Sequence, residues 1–274
     1  KILNSILKLE KNEYKYLSPN FFKNNHKYYM LFCNRKSSKS FYGEINLAVS
    51  KNLKNWKKVS NFVLKPEKKS EYISFVSPCV LKKNKVYYLF IEAQKTKGSD
   101  ILCFISKTLK KWTYYPQFKL KKKYNTFHSP FIIKINNNLH LYYSLNKKKI
   151  ICLILDNDFN HLKFIACLKS NLSNATYTIY SPSIIKLNNR YLMLYSAWKN
   201  KNLGNINCAH SFDGVLWKKT KKNIFDIKSH IKIVSEPFLI KIKNKIYIFF
   251  EYKKKDHWNI GYYCLDKSSF IKYF

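Results

Sequence analysis

Ser129-Pro130-Phe131-Ile132-Ile133-Lys134-Ile135-Asn136-Asn137-Asn138-Leu139-His140-Leu141-Tyr142-Tyr143 is one of five copies of a single pattern in this chain. The other copies open Ser18-Pro19-Asn20-Phe21-Phe22-Lys23, Ser77-Pro78-Cys79-Val80-Leu81-Lys82, Ser181-Pro182-Ser183-Ile184-Ile185-Lys186 and Glu236-Pro237-Phe238-Leu239-Ile240-Lys241. The prolines are spaced 59, 52, 52 and 55 residues apart, and five of the seven prolines in the chain occupy this one position. Such a period marks an array of like supersecondary units.

Nine to thirteen residues beyond each proline comes a second apolar run, for example Tyr87-Tyr88-Leu89-Phe90-Ile91 and Ile246-Tyr247-Ile248-Phe249-Phe250. The two runs are separated by pairs such as Asn25-His26, Asn84-Lys85 and Asn188-Asn189. Asparagine tolerates the left-handed conformation that tight hairpins require, so each unit opens with a hairpin. A turn follows, with Gly43, Gly98 or Gly204 in three units, and then a third strand: Ile45 to Ser50, Ile101 to Ser106, Ile150 to Asp156, Ile206 to Ser211 and Ile260 to Asp266. Six residues past its closing Ser stand Trp56, Trp112 and Trp217, read as packing residues, with Leu162 in the third unit. A short fourth strand such as Asn61-Phe62-Val63-Leu64 completes the unit. Four antiparallel strands repeated five times predict an all-β, five-bladed β-propeller. The last unit lacks its own fourth strand, and Ile2-Leu3-Asn4-Ser5-Ile6-Leu7 supplies one, closing the ring and removing free edges. The 274 residues are thus expected to form one domain, with blades beginning near 17, 76, 128, 180 and 235.

With 46% apolar and 17% aromatic residues the chain can bury a large core despite a formal charge of +37. Of the 52 basic residues only Arg35 and Arg190 are arginines. Phosphate recognition favours the planar arginine fork, so nucleic acid is not the expected partner. The lysine runs at turns, such as Lys121-Lys122-Lys123, read as solvated edges, with attraction to an anionic polymer as the alternative. The seven cysteines show no metal or disulfide spacing and read as buried free thiols, which leans toward a reducing, cytoplasmic compartment. Lys1 in first place leaves a removed signal peptide open. No apolar run reaches the roughly 18 residues of a membrane span, and no motif calls for a metal or a cofactor.

Propeller blades that open with a residue-Pro pair, continue with an aromatic strand and close on "Ser, loop, Trp" resemble the glycoside hydrolase family 43 propellers, with the related invertase and levansucrase type. The residues that carry the resemblance are Tyr87-Tyr88-Leu89-Phe90, Ala48-Val49-Ser50-Lys51-Asn52-Leu53-Lys54-Asn55-Trp56 and Ser211-Phe212-Asp213-Gly214-Val215-Leu216-Trp217. The resemblance implies an O-glycosyl hydrolase acting on or binding an oligo- or polysaccharide in the central funnel, through three carboxylates: a base, a modulator and a general acid. Where it would place acids before the prolines, this chain has Ser18, Ser77, Ser129 and Ser181, and only Glu236 is acidic.

Hairpin arithmetic, with the turn six and seven residues after the proline, pairs the residue before each proline with the one fourteen after it. Ser77 then faces Glu92, and Glu236 faces Glu251. Two carboxylates in register repel, so one holds a proton or a cation lies between them. The expected catalytic residues are Glu236 and Glu251, from this pairing, and Glu92, from its matching position, with Lys253, Arg35 or another cation as the neutralising alternative. Ser18, Ser77, Ser129 and Ser181 line the funnel, His128 and Tyr180 border its mouth, Trp198 and Trp258 offer stacking faces at the same end, and Arg35 is a candidate partner for a ligand anion. Asp100 is a further carboxyl in reach by sequence. Three functions remain open: a glycan-processing propeller, a degenerate propeller that binds a glycan or accompanies a sugar transferase, and a lysine-rich scaffold for an anionic polymer.

Overall fold

The computed structural model describes residues 6–7, 13–36, 42–59, 64–120, 125–170, 178–200, 202–224, 233–254 and 257–274. The first blade contains β1 (Lys15–Asn24), β2 (Lys27–Arg35), β3 (Gly43–Ser50) and β4 (Lys57–Lys58). The second contains β5 (Ser74–Lys83), β6 (Val86–Gln94), β7 (Ser99–Ser106) and β8 (Thr113–Leu120). The third contains β9 (Phe127–Ile135), β10 (Asn138–Leu145), β11 (Lys149–Leu155) and β12 (His161–Lys169). The fourth contains β13 (Thr178–Leu187), β14 (Arg190–Asn200), β15 (Leu203–Ser211) and β16 (Lys218–Asn223). The fifth contains β17 (Ile233–Ile242), β18 (Lys245–Lys254) and β19 (His257–Asp266), followed by α1 (Lys267–Ile271). Each hairpin turn begins with a left-handed residue, φ 48 to 53° at Asn25, Asn84, Asn136, Asn188 and Lys243. Asparagine accepts this conformation at little cost, as the sequence implied.

Side chains and edge contacts seal every blade junction. At the end where the inner strands begin, Gly43 N–H donates to Ser74 Oγ (2.8 Å) and Ile179 N–H donates to the Lys147 carbonyl (2.9 Å). There too Ser99 pairs with Thr126, Gly204 with Ile233 and Trp258 with Lys15. The last of these joins blade five to blade one. Ile6, from the N-terminal segment, donates its N–H to the Ile260 carbonyl of β19 (3.0 Å), the outer position of that blade. Residues 1–5, and 61–63 of the expected fourth strand of blade one, lie outside the described residues; Leu64 bridges Ile45.

Two glycines expected in turns instead begin strands. A Cβ on Gly43 would stand 2.7 Å from Ser74 Oγ, and one on Gly204 2.9 Å from the Trp198 ring. Gly43 needs glycine for the close approach of blade two and Gly204 for that of the Trp198 ring in its own blade, whereas Gly98, at φ +88°, is a true turn residue. The "Ser, loop, Trp" segments are local turns: Ser211 Oγ accepts from Gly214 N–H (2.9 Å), and Trp217 Nε1 donates to the Gly214 carbonyl (3.1 Å). Trp56 repeats this on Leu53 (2.9 Å). All seven cysteines are free, five of them buried, and the lysine four residues after each motif proline is exposed in all five blades. No described helix is long and apolar enough to cross a membrane.

The inner hairpins carry a correction. Pairing follows the expected register from the turn to Asn20↔Leu31, Cys79↔Phe90, Ser183↔Leu194 and Phe238↔Phe249, then shifts. Beyond the shift, Leu17 pairs with Cys33, Val76 with Glu92, His128 with Ser144, Tyr180 with Ser196 and Ser235 with Glu251. Ser77 therefore does not face Glu92, nor Glu236 Glu251. The cause is a bulge at every X-Pro pair. Proline has no N–H for the ladder, and the residue before it is left-handed: φ 52° at Ser18, 48° at Ser77, 50° at Ser129, 49° at Ser181 and 50° at Glu236.

Gly204→Ala is expected to destabilise the fold by about 1–3 kcal/mol, the range for overpacking a filled site. A urea unfolding midpoint unchanged from wild type would contradict this reading of the Gly204–Trp198 contact.

Candidate functional site

The bulges turn the pre-proline side chains toward the axis. Ser18, Ser77, Ser129, Ser181 and Glu236 line one central cavity with their prolines, Asn20, Phe131 and Phe238. The cavity holds about 30 Å³, room for about two waters and too little for a sugar ring. Phe131 and Phe238 meet across it with ring centroids 6.2 Å apart. The other blades carry Asn20, Cys79 and Ser183 at that position, and these accept the N–H groups of Val80 (3.3 Å), Ile132 (3.3 Å) and Leu239 (3.0 Å) on the next inner strand. Ser77 Oγ lies 3.4 Å from both Ser18 Oγ and Ser129 Oγ, and the Ser18 hydroxyl bonds the Glu236 carboxyl. A hydroxyl chain thus runs from blade three to the one acidic member of the ring.

Three carboxyls stand in three different environments. Glu236 is partly exposed at the cavity; burial and the Glu251 charge hold its carboxyl well above the ordinary range. Glu251 is buried beneath the ring, where burial raises it as well. Ser235 Oγ (2.6 Å) and the Ser18 N–H (3.4 Å) donate to it, and Lys15 and Arg35 favour its charge. Of this close pair Glu236 is the proton holder, because the donors converge on Glu251. Glu92 is also buried, which by itself would raise it, yet it is held down to about 2 by His128, Lys147 and Gln94. His128 Nδ1 lies 2.9 Å from Glu92 Oε1, Gln94 Nε2 donates at 2.7 Å, and the Ser129 N–H donates to Oε2 at 3.0 Å.

A shared structural duty explains the positions of Glu92 and Glu251, which the hairpin count alone did not reveal. In each case a side chain on the second strand of one blade accepts the N–H of the left-handed residue in the next. Ser196 Oγ does the same for Glu236 N–H (2.8 Å).

Around the mouth a single rung of paired residues crosses eight strands: Arg35, Lys15, Trp258, Lys253, Ile233, Gly204, Trp198 and Thr178. Trp198 and Trp258 stack at 6.4 Å with 21° between their planes, and Tyr180 lies 6.3 Å from Trp198. Exposed Lys147 reaches over the Tyr180 ring at 5.2 Å. The structure therefore gathers Tyr180, Trp198, Trp258 and Arg35 at the ring's mouth. Arg35 Nη2 donates to Gln94 Oε1 (3.3 Å), which links it to Glu92. Lys15, Lys147, Gln94 and Ser235 were missed in the sequence; only their strand-end positions beside the motif could have pointed to them. Asp100 lies elsewhere, bonded to Tyr72 (2.8 Å) and Lys95 (2.8 Å).

A carboxyl raised in the fold binds its proton more tightly folded than unfolded, so it weakens stability above its ordinary range. Stability is expected to increase as pH falls from 7 toward 5, and Glu236→Gln to be more stable than wild type at pH 7 with a flatter profile. Chemical denaturation at stepped pH measures both, and a less stable Glu236→Gln would contradict the assignment. Glu92 has the opposite sign. Its stabilisation is complete above about 4.5 and lost as pH falls toward about 2. Glu92→Gln should cost about 3 kcal/mol at pH 7 and progressively less below pH 4.5; a pH-independent cost would contradict it.

Residues 5–157, more than half of the 274, match the family described as Glycosyl hydrolases family 32 N-terminal domain. No curated protein matches the chain in sequence. Among solved structures, a glycoside hydrolase superposes with a TM-score of 0.76 at 12% identity, over 95% of this chain and 90% of its own. A thermostable family-43 glycoside hydrolase gives 0.72 at 16%, over 90% and 88%. The exo-beta-1,3-galactanase from Phanerochaete chrysosporium, solved with beta-1,3-galactotriose, gives 0.75 at 16%, over 93% and 61%. These likenesses establish the five-bladed propeller, and with the match over residues 5–157, more than half of its length, the chain belongs to the glycosyl hydrolase family 32 N-terminal domain family.

Proposed function

We propose that this carbohydrate-active propeller acts on an O-glycosidic bond of a glycan held across the funnel mouth, with Glu236 protonating the departing oxygen. One observation carries the reading: of the five side chains converging on the axis, Glu236 alone is acidic, and its surroundings keep the proton on it while leaving it partly open to the funnel. A general acid must hold its proton at the working pH and release it to the leaving group. Glu251 serves beneath it as a positioning residue whose charge holds that proton in place. Glu92 orders His128 and Ser129. The small cavity keeps sugar rings above the ring of hydroxyls, where Trp198 and Trp258 offer stacking faces. All 274 residues serve as one propeller domain, with blades beginning near 17, 76, 128, 180 and 235.

A second reading, glycan binding without hydrolysis, is favoured by the engagement of Glu92 and Glu251 with backbone N–H groups of the next blade. No described carboxylate at the cavity is then left to activate water on the opposite face of the sugar.

Turnover of aryl arabinosides, xylosides and fructosides by wild type and Glu236→Gln separates the two readings. Loss of general acid catalysis should lower kcat by about 10²–10⁴-fold while sugar binding, read by calorimetry, persists. Equal turnover by both proteins would overturn the role of Glu236. Binding with no turnover by wild type would establish the second reading.

A further inference from the structure

Resting on the reading of the mouth as a glycan site, we infer that the glycan it takes is acidic, with a carboxylate-bearing sugar lying on the rung of cations and tryptophans across blades four, five and one. The rung places Arg35, Lys15 and Lys253 in directly paired positions, with Trp258 between Lys15 and Lys253. Residues paired across neighbouring strands present their side chains to the same face. Three cations are thus set beside an indole. Trp198 stacks on that indole at 6.4 Å and extends the apolar surface toward Tyr180. On the other side of the mouth Lys147 stands over Tyr180 at 5.2 Å and is exposed.

The charge balance favours an anion. Among the described residues, Glu251 and Glu92 stand against Lys15, Arg35, Lys253 and Lys147; both acids are buried below the mouth and bonded there by hydroxyl, amide, imidazole and backbone donors. Even with Lys15 and Arg35 favouring the Glu251 charge and Lys147 that of Glu92, four cations face two carboxylates. Among the described residues no carboxylate bonds Arg35: its Nη2 contacts the neutral Gln94, the Cys33 thiol lies beside it, and its buried Nε has no hydrogen-bond partner among them. Four of the five positions around the axis are serine. Carboxylates at those positions would repel an acidic sugar. Hydroxyls do not, and they can donate to it. An aromatic face for the ring and a guanidinium for the carboxylate together recognise a uronate and leave its neutral counterpart with half of the interactions.

The test is calorimetric titration with tetragalacturonate, its fully methyl-esterified form and inorganic polyphosphate, at low and moderate salt. The acidic sugar is expected to bind about tenfold or more tightly than the ester. Lys147→Ala and Lys253→Ala should each weaken the acid about 3–10-fold and leave the ester unchanged, while Lys134→Ala and Lys241→Ala at the far end leave both unchanged. Trp258→Ala should weaken both sugars without affecting polyphosphate. Equal binding of acid and ester would overturn the inference while leaving the glycan site standing. Equal losses from mouth and far-end lysines, or polyphosphate binding as tight as the sugar acid, would overturn it in favour of general attraction to a basic surface. If neither sugar binds and no other glycan is bound or turned over, the underlying glycan site fails with it.

Discussion

The left-handed residue before each motif proline is the constraint on which the rest depends. Holding a non-glycine residue there costs on the order of 1–3 kcal/mol, and this chain does so five times around one axis. The cost is sustained because the surroundings over-determine the conformation. The proline removes a ladder donor, the bulge absorbs the extra residue, and the freed N–H finds an acceptor on the preceding blade: Glu251 for Ser18, Glu92 for Ser129, Ser196 for Glu236. In these three hairpins the strained residue thereby also ties one blade to the next. It also decides what faces the axis, since only a left-handed residue sends its side chain inward at that point.

Site chemistry follows from the same device. Because the pre-proline side chains converge, an acidic residue at one of them meets hydroxyls from its neighbours and sits above the carboxylate that holds the next bulge. Glu236 is placed in this way over Glu251, and desolvation plus that charge keep its proton on. Glu92 performs the same backbone duty with imidazole and amide donors around it, and it stays ionised. The difference between the two buried acceptors lies in their partners rather than in their depth.

Blade number, hairpin turns, third strands and the tryptophan turns were legible because each depends on local chemistry that recurs from blade to blade. Asparagine marks the turn, alternating apolar residues mark the strand, and a Ser with a Trp six residues later marks the corner. The pairing of Glu236 with Glu251 was misread because counting from the turn assumes an unbroken ladder. A recurring proline within a paired strand was itself the missing signal, since proline cannot serve as a ladder donor. Glu236 and Glu251 were selected for cross-strand repulsion and Glu92 for its matching position, yet the backbone duties that place Glu251 and Glu92 arise between blades, from contacts with Ser18 and Ser129. Gly43 and Gly204 looked like turn residues for a similar reason: the neighbours that require them belong to other strands. Lys15 and Lys147 were hidden among 52 basic residues, and only the meeting of blades sets them apart.

The most direct measurement is a carbon-13 NMR titration of side-chain carboxyls in glutamate-labelled protein, with Glu236→Gln and Glu92→Gln used for assignment. The account predicts that the Glu236 signal titrates above the ordinary glutamate range and that Glu92 remains ionised to the acid end of the folded range, near 2. Glu236 titrating at an ordinary value of about 4.3, indistinguishable from surface glutamates, would contradict it.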